Sequence, residues 1–255
     1  FKLYKITGAT NYDELVRNEA YAVLNDKIFI GDDAILACPP DTIFDTVRLT
    51  EDSKITEWNY SVSGEFDALC SKLESVNPKC KFGGKVDISY TKIKEWHNDV
   101  PGYFNALGSK LEYVSPDCIF GGKVDISHTN IKEWHNDVPG IFFAYNSKLE
   151  FVSPDCKFGG DVNIKSTNLK EWHNDVPGIF YTTWSNLEFV SPDCKFGGDV
   201  DIRGTNIKEW HNDVPGNFDA ECSKLEKIIN CKIEGKIHCD DNVEIINEEK
   251  QVMRM

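Results

Sequence analysis

The sequence has no long hydrophobic run and no surplus of basic residues. No stretch reaches the roughly 18 consecutive apolar residues that a membrane-spanning helix needs, and no secretory leader pattern is recognisable. Only 28 lysines and arginines stand against 42 aspartates and glutamates, which gives a formal net charge of -14. Direct binding to a nucleic-acid backbone needs clustered cations. We therefore expect a cytoplasmic protein that binds neither a membrane nor nucleic acid directly.

Motifs for catalysis and for metal or phosphate binding are missing as well. There is no phosphate loop, no paired acid–base motif and no nucleophile–base arrangement. The nine cysteines include no CxxC pair, and an odd number cannot all form disulfides within one chain. We expect these cysteines to be small buried side chains in a reducing compartment. The sequence predicts neither an enzyme nor a cofactor.

What the sequence does contain is a long internal repeat. The segment CKFGGKVDISYTKIKEWHNDVPG begins at Cys80 and returns almost unchanged three more times. Its tryptophan recurs every 38 residues, at Trp58, Trp96, Trp134, Trp172 and Trp210. A fixed period in this range is typical of stacked repeat proteins, in which each unit buries its apolar face against its neighbours.

A weaker register divides each unit into two coils. GKVDISYTKIKEW (84–96) aligns with GYFNALGSKLEYV (102–114), and such half repeats alternate between 18 and 20 residues. The shared pattern is G-x-φ-x-φ-x-x-(T/S)-x-φ-x-x-φ, where φ is apolar. The φ-x-φ pair predicts a very short strand with both apolar side chains inward, and the following Pro and Gly predict turns. We therefore predict an all-β parallel β-solenoid of about eleven coils, on the order of 50 Å long at the spacing of β-strands.

The irregular ends of the chain predict caps. We assign residues 1–45 to an N-terminal α/β cap, 46–235 to the solenoid and 236–255 to a C-terminal cap or tail. Asn11–Leu24 has a helix-forming composition, and Lys27–Ile30 reads as a short strand. A solenoid needs a cap because its first coil exposes an apolar end, although the N-terminal segment could also be a small separate module.

The core of each odd coil resembles a leucine-rich repeat. V-x-I-x-x-T-x-I-x-x-W, as at Val86 to Trp96, is similar to L-x-L-x-x-N-x-L-x-x-L, and most similar to short bacterial and phage repeats of the form GG-x-L-D-L-S-x-T-x-I-x-x-L-P. The likeness covers roughly residues 45–235. Thr or Ser replaces the usual Asn, and Trp or Val replaces the last Leu. The resemblance implies a binding scaffold, usually for proteins, with no catalytic residues.

Two polar columns follow from stacking the coils. Histidines recur every second coil, about 9–10 Å apart, which is too far to share a zinc ion whose ligands lie about 2 Å away, so we interpret them as structural corner residues. Aspartates recur once per coil and either accept backbone N–H groups in their turns, bind calcium or form an anionic strip that imitates phosphates. The histidines are His97, His135, His173 and His211; the aspartates are Asp99, Asp117, Asp137, Asp155, Asp175, Asp193 and Asp213.

A row of hydroxyl side chains, which includes Thr91 and Ser109, occupies the corner of each coil. Threonine rows resemble those of ice-binding solenoids, but this is a single row just before an inward Ile or Leu. We therefore expect it to support the turn.

The even coils vary in sequence where the odd coils are nearly constant. Their variable parts are GEFDALCSK, GYFNALGSK, GIFFAYNSK, GIFYTTWSN and GNFDAECSK. Inward positions stay apolar or small, while outward positions change from acidic at the ends to aromatic in the middle. An aromatic patch with a polar rim marks an interaction site. The predicted patch comprises Tyr103, Ile141, Phe143, Tyr145, Ile179, Tyr181 and Trp184.

The sequence thus predicts a non-enzymatic solenoid that binds a protein partner, or a second copy of itself, through this patch. The net charge of -14 and the aspartate column motivate an alternative. In that hypothesis the protein is an acidic nucleic-acid mimic that inhibits a DNA- or RNA-handling enzyme, for example as a phage anti-defence protein.

Overall fold

The structure is a computed structural model that describes residues 3–5 and 19–247. It confirms the predicted parallel β-solenoid of about eleven coils, each of roughly 18 residues. Most strands are only two residues long, because each side of a coil offers one short apolar-alternating stretch before the chain turns. Within the described ranges, no helix has the length and apolar character to cross a membrane.

The N-terminal segment extends the solenoid with antiparallel strands. β3 lies between β1 and β2, and β2 pairs antiparallel with β5, which begins the parallel stack. Asn25 (φ 49°) and Asp26 (φ 59°) form the tight turn between β2 and β3, a conformation that this hairpin turn requires. The elements of the segment are β1 (Leu3–Lys5), β2 (Tyr21–Leu24), β3 (Lys27–Ile30), α1 (Asp32–Leu36), β4 (Ile43–Phe44) and β5 (Thr46–Arg48).

One prediction for this segment is wrong. Residues 21–24 of the expected helix Asn11–Leu24 form strand β2, while residues 11–18 lie outside the described part of the chain. Tyr21, Ala22 and Val23 are buried between two partner strands, and that pairing outweighs an intrinsic helix preference worth only tenths of a kcal/mol per residue. The strand predicted at Lys27–Ile30 is confirmed with the same bounds.

One side of every coil joins a single long sheet, whose outward surface we call the strand face. Equivalent repeat positions pair in parallel, so that Val86 stands between Phe66 and Phe104. After β5 the strands are β8 (Phe66–Asp67), β10 (Val86–Asp87), β12 (Phe104–Asn105), β14 (Val124–Asp125), β16 (Phe142–Phe143), β18 (Val162–Asn163), β20 (Phe180–Tyr181), β22 (Val200–Asp201), β24 (Phe218–Asp219) and β26 (Ile237–His238).

A second side of the solenoid consists of small separate sheets. Each sheet joins an odd coil, which carries the tryptophan, to the even coil that follows it. The groups are β6 (Glu57–Trp58) with β9 (Ser75–Val76), β11 (Glu95–Trp96) with β13 (Tyr113–Val114), β15 (Glu133–Trp134) with β17 (Phe151–Val152), β19 (Glu171–Trp172) with β21 (Phe189–Val190), and β23 (Glu209–Trp210) with β25 (Lys227–Ile229) and β27 (Glu244–Ile246).

The third side is held by isolated parallel bridges such as Val100 with Phe120, after the single pair of β4 with β7 (Ser61–Val62). In four of the five bridges a glycine follows the even-coil residue and lies against the preceding coil, whereas Glu234 follows Ile233 in the last bridge. A Cβ at Gly121 would stand 2.2 Å from the carbonyl oxygen of Pro101, so no other residue fits this approach.

The core is a continuous row of aromatic rings along the solenoid. Neighbouring ring centroids are 5.0–5.6 Å apart, within the range of attractive aromatic pairs. Large and small side chains alternate between coils, because Trp96 stacks on Val114 and Val86 on Phe104. The row comprises Trp58, Phe66, Phe82, Trp96, Phe104, Phe120, Trp134, Phe142, Phe158, Trp172, Phe180, Phe196, Trp210 and Phe218.

The cysteine column lies beside this row. All nine cysteines are free, and Cys80, Cys118, Cys156 and Cys194 are buried, which confirms the expectation for these four. Burial is the main cause that raises the pKa of the last three thiols to about 12. Cys231 is half-buried, and Cys70 and Cys222 are exposed.

Candidate functional site

The predicted patch residues all come from even coils along the strand face. Phe143 lies in β16 and Tyr181 in β20. Tyr145 and Trp184 are exposed, at 42% and 64% respectively. The remaining members are half-buried. The fold therefore collects the patch on one surface.

The odd coils interleave polar residues with these aromatic rings. Phe143 pairs in register with Asp125 on one side and Asn163 on the other. The ammonium group of Lys123 stands 4.6 Å from the ring centre of Tyr103 and 4.3 Å from that of Phe143. Lys165 stands 4.5 Å from the ring of Tyr181. The surface is thus a set of rings held by cation–π contacts, not a continuous apolar patch.

Contacts between coils also fix the patch members at its edges. The ring of Tyr145 meets that of His128 edge-on, with centroids 5.1 Å apart. The carboxylate of Asp161 accepts the backbone N–H of Ile179 at 2.8 Å. Burial, with the nearby Asp125 and Asp87 carboxylates, raises the pKa of Tyr103 to about 12, so its hydroxyl is a neutral donor at physiological pH.

A structural rule governs the second position of the strand-face strands. In most coils this residue is Asp or Asn, and its side chain accepts the backbone N–H two residues later. The bond is an Asx turn that stabilises the corner, where the chain then enters the left-handed region, as at Tyr90 (φ 56°). The residues that make it are Asp67, Asp87, Asn105, Asp125, Asn163, Asp201 and Asp219.

Phe143 and Tyr181 break this rule. They occupy the same register positions, but an aromatic side chain cannot accept the hydrogen bond. Arg48 in β5 and His238 in β26, at the two ends of the stack, hold this position without an Asp or Asn as well. Between β8 and β24, the two coils that lack the Asx turn are the two that place aromatic rings at the centre of the predicted patch.

The ring of Trp184 packs into the space that Gly204 leaves in the next coil. Its backbone is left-handed, at φ 58°, a conformation that costs a bulky L-residue about 1–2 kcal/mol. A Cβ at Gly204 would lie 2.3 Å from the Trp184 ring, so the indole rests directly on this glycine. Tyr90 rests on Gly108 in the same way. Corner residues of other coils, such as His128 (φ 58°) and Ser166 (φ 54°), are left-handed as well, so this conformation is a property of the corner and not of Trp184 alone.

The predicted aspartate column divides into two sets. The odd-coil set accepts the backbone N–H of the next coil at 2.6–2.8 Å, as Asp137 does from Lys157. The even-coil set lies in turns with exposed carboxylates. The residues that align with the odd-coil set across the bridges are Ile and Lys, so the acids do not form one uninterrupted strip. The first set is Asp99, Asp137, Asp175 and Asp213; the second is Asp117, Asp155 and Asp193.

The threonines of the hydroxyl row support the turns, as expected, whereas the buried hydroxyls of Ser71 and Ser185 have no hydrogen-bond partner among the described residues. The threonines are buried, and each donates its hydroxyl to the carbonyl three residues earlier, as Thr91 does to Ile88 at 2.7 Å. The other bonded threonines are Thr129, Thr167 and Thr205.

Sequence reasoning missed a second row of exposed rings, on the side with the separate small sheets. Tyr113, Phe151 and Phe189 are each 43–44% exposed. A histidine from the preceding odd coil lies beside each ring, with centroids 5.7–5.8 Å apart. We call the rings of Tyr113, Phe151, Phe189, His97, His135 and His173 the ring stripe. The sequence did contain a signal for this row. The position that is aromatic in the three central even coils is Ser75 and Lys227 in the even coils at the ends of the repeat array.

The four histidines of the predicted column are partly exposed, with 34–35% of each side chain accessible to solvent. They lie on the surface and are not buried in the corners of the coils. Each faces a glutamate two residues earlier, with Nε2–Oε2 distances of 3.2–3.5 Å. In residues 3–5 and 19–247, no group of three or more His, Cys, Asp or Glu side chains could hold a metal ion.

The likeness of this chain to leucine-rich repeats rests on the repeat pattern of its sequence alone. No family model, no curated protein and no solved structure matches this sequence.

Proposed function

We propose that the protein is a non-enzymatic, leucine-rich-repeat-like scaffold that binds another protein through the strand face of its central even coils. The observation that carries this proposal is the paired exception at Phe143 and Tyr181. In the other coils from β8 to β24 the same position forms the Asx turn of its own corner. Local rules are broken at functional sites more than elsewhere.

The surface has the character of a binding platform. Tyr and Trp dominate binding energy at interfaces, and Tyr145, Tyr181 and Trp184 supply them here. Rings that are already held by Lys123, Lys165 and His128 lose little conformational freedom on binding, which reduces the entropic penalty of association. The stacked coils beneath provide rigid support.

The partner is a different protein or a second copy of the chain. Light scattering on the wild type and on Phe143→Asn/Tyr181→Asn separates the two. A homodimer predicts a halved mass in the variant, and an unchanged mass would exclude it. For a different partner, capture from the native host should fail with the variant, and equal capture by both proteins would overturn the proposal.

The acidic-mimic alternative rests on the net charge of -14. The odd-coil aspartates count against it, because their carboxylates already accept backbone N–H bonds. A mimic would bind a basic target with steep salt dependence, so salt-insensitive binding would decide against it. We place the protein in the cytoplasm, since nine free cysteines suit a reducing compartment.

A further inference from the structure

We propose that the ring stripe is a second binding surface, which takes basic proline-rich segments in the polyproline II conformation. It lies on a different side of each coil from the patch of the proposed function, and its sheets are separate from the strand-face sheet. The argument uses the shape, spacing and charge of its three repeated units.

Each unit is a pair of tilted rings on an exposed surface. The planes of His97 and Tyr113 are inclined by 49°, and those of the next two pairs by 46° and 50°. Two inclined rings form a shallow apolar ledge of the kind that packs against a proline ring, and aromatic-lined grooves are the usual receptors for polyproline segments.

A depression follows the last unit of the stripe. Each small sheet ends at the even-coil strand that carries the exposed ring. Beyond Phe189 the surface dips into an open depression of about 620 Å³, which Lys208, Glu209 and His211 help to line.

The spacing of the units selects the conformation of the ligand. Exposed rings recur every second coil, which is about 9.6 Å at the stacking distance of strands. One turn of polyproline II advances about 9.3 Å in three residues. The mismatch over the whole stripe is then only about 0.6 Å. A β-strand repeats every 6.6 Å or so and an α-helix every 5.4 Å or so, so neither stays in phase with the rings.

The charge of each unit selects basic residues. Lys94, Lys132 and Lys170 pair with the glutamates of the following even coils at 3.1–3.6 Å. The glutamates beside the rings face only a histidine, with side chains 66–67% exposed. Each unit therefore presents one carboxylate, from Glu95, Glu133 or Glu171, that a lysine pair does not neutralise. An arginine or lysine in every third ligand position would meet these carboxylates in turn.

Fluorescence anisotropy with synthetic peptides tests the proposal. The probe is a labelled peptide of five Pro-Pro-Arg triplets. Its comparisons are five Gly-Gly-Arg triplets, which keep the charge and spacing but not the conformation, and five Pro-Pro-Glu triplets, which reverse the charge. We expect the first peptide to bind at least tenfold more tightly than either of the others.

The matched variant is Tyr113→Ser/Phe151→Ser/Phe189→Ser, which repeats the serine that Ser75 supplies in the same column. We expect it to lose at least tenfold in affinity, and the single variant Phe151→Ser to lose affinity as well. Phe143→Asn/Tyr181→Asn, on the strand face, should bind the peptide unchanged, which separates this surface from the one in the proposed function. Circular dichroism verifies that each variant is folded.

Three results would overturn the proposal. They are no detectable binding of the Pro-Pro-Arg peptide, binding of the Gly-Gly-Arg peptide within threefold of it, or full affinity in both serine variants. The second result would mean that charge alone attracts the peptide.

Discussion

Replacing Phe143 and Tyr181 with asparagine should remove the proposed binding surface on the strand face and leave the fold intact. Asparagine already occupies the equivalent position at Asn105, where its side chain accepts the N–H of Leu107 at 3.2 Å. The double variant would restore this Asx turn in both exceptional coils. Asparagine is preferable to aspartate because Asp125 stands next to Phe143 in the register.

The expected change in stability is small because two effects oppose each other. Each restored hydrogen bond contributes about 0.5–1.5 kcal/mol. Each lost cation–π contact, such as that with Lys123, removes about 0.5–1 kcal/mol. Loss of a half-buried ring removes roughly another 1 kcal/mol, about half of the value for full burial. The free energy of unfolding should therefore fall by only about 0–1.5 kcal/mol per substitution.

The adjacent residue supplies a matched control. Phe142 points inward and is fully buried between Trp134 and Phe158, so Phe142→Ala should cost about 3–5 kcal/mol. Urea unfolding followed by the fluorescence of the buried tryptophans measures both changes. If Phe143→Asn destabilised the protein as much as Phe142→Ala, Phe143 would be a packing residue and the central observation behind the proposed function would fail.

Further predictions address the corners, the acids and the thiols. Gly204→Ala should lower the free energy of unfolding by about 1 kcal/mol or more, because its φ is 67° and the Trp184 ring occupies the space; urea unfolding should show part of this loss recovered in the Trp184→Ser background. Asp137→Ala should cost about 1–2 kcal/mol through the lost bond to Lys157, whereas Asp155→Ala should stay within about 0.5 kcal/mol in the same assay. Ellman's reagent should label Cys70 and Cys222 in the native protein and reach Cys118, Cys156 and Cys194 only after unfolding; labelling of all nine before unfolding would contradict the buried column. The raised pKa of these three thiols favours the protonated form in the fold, so their contribution to stability is complete below about pH 9 and is lost as pH rises toward 12. The urea midpoint should therefore fall less steeply above pH 9 when alanine replaces the three cysteines.

The repeat made the solenoid predictable, since stacked copies leave few alternatives for the inward positions. Trp96 and Val86 are inward because the pattern requires it, and the structure agrees. The N-terminal segment lacked such copies. There, local composition favoured a helix at Tyr21–Leu24, while pairing with distant strands decided the outcome.

The two proposed binding surfaces were predictable only in part, because their properties depend on contacts between coils. Comparison of the even coils singled out Phe143 and Tyr181, but not the position of Lys123 above the rings. The Asx rule was also hidden, since Asp87 and Asn105 reveal a common role only when their hydrogen bonds are seen. The ring stripe was missed because its histidine and its aromatic partner come from different half repeats.

The alternation of large and small core residues restricts how the length of this protein can change. Deleting one even coil would bring the Trp96 and Trp134 coils into direct contact, where Val114 now separates the two indoles. Deleting one odd coil would bring Phe104 against Phe142, which Val124 now separates. Either junction would overfill the core. Gene duplication and loss can therefore lengthen or shorten the protein only by whole pairs of coils, and each such event adds or removes one variable even coil, which contributes to both proposed binding surfaces.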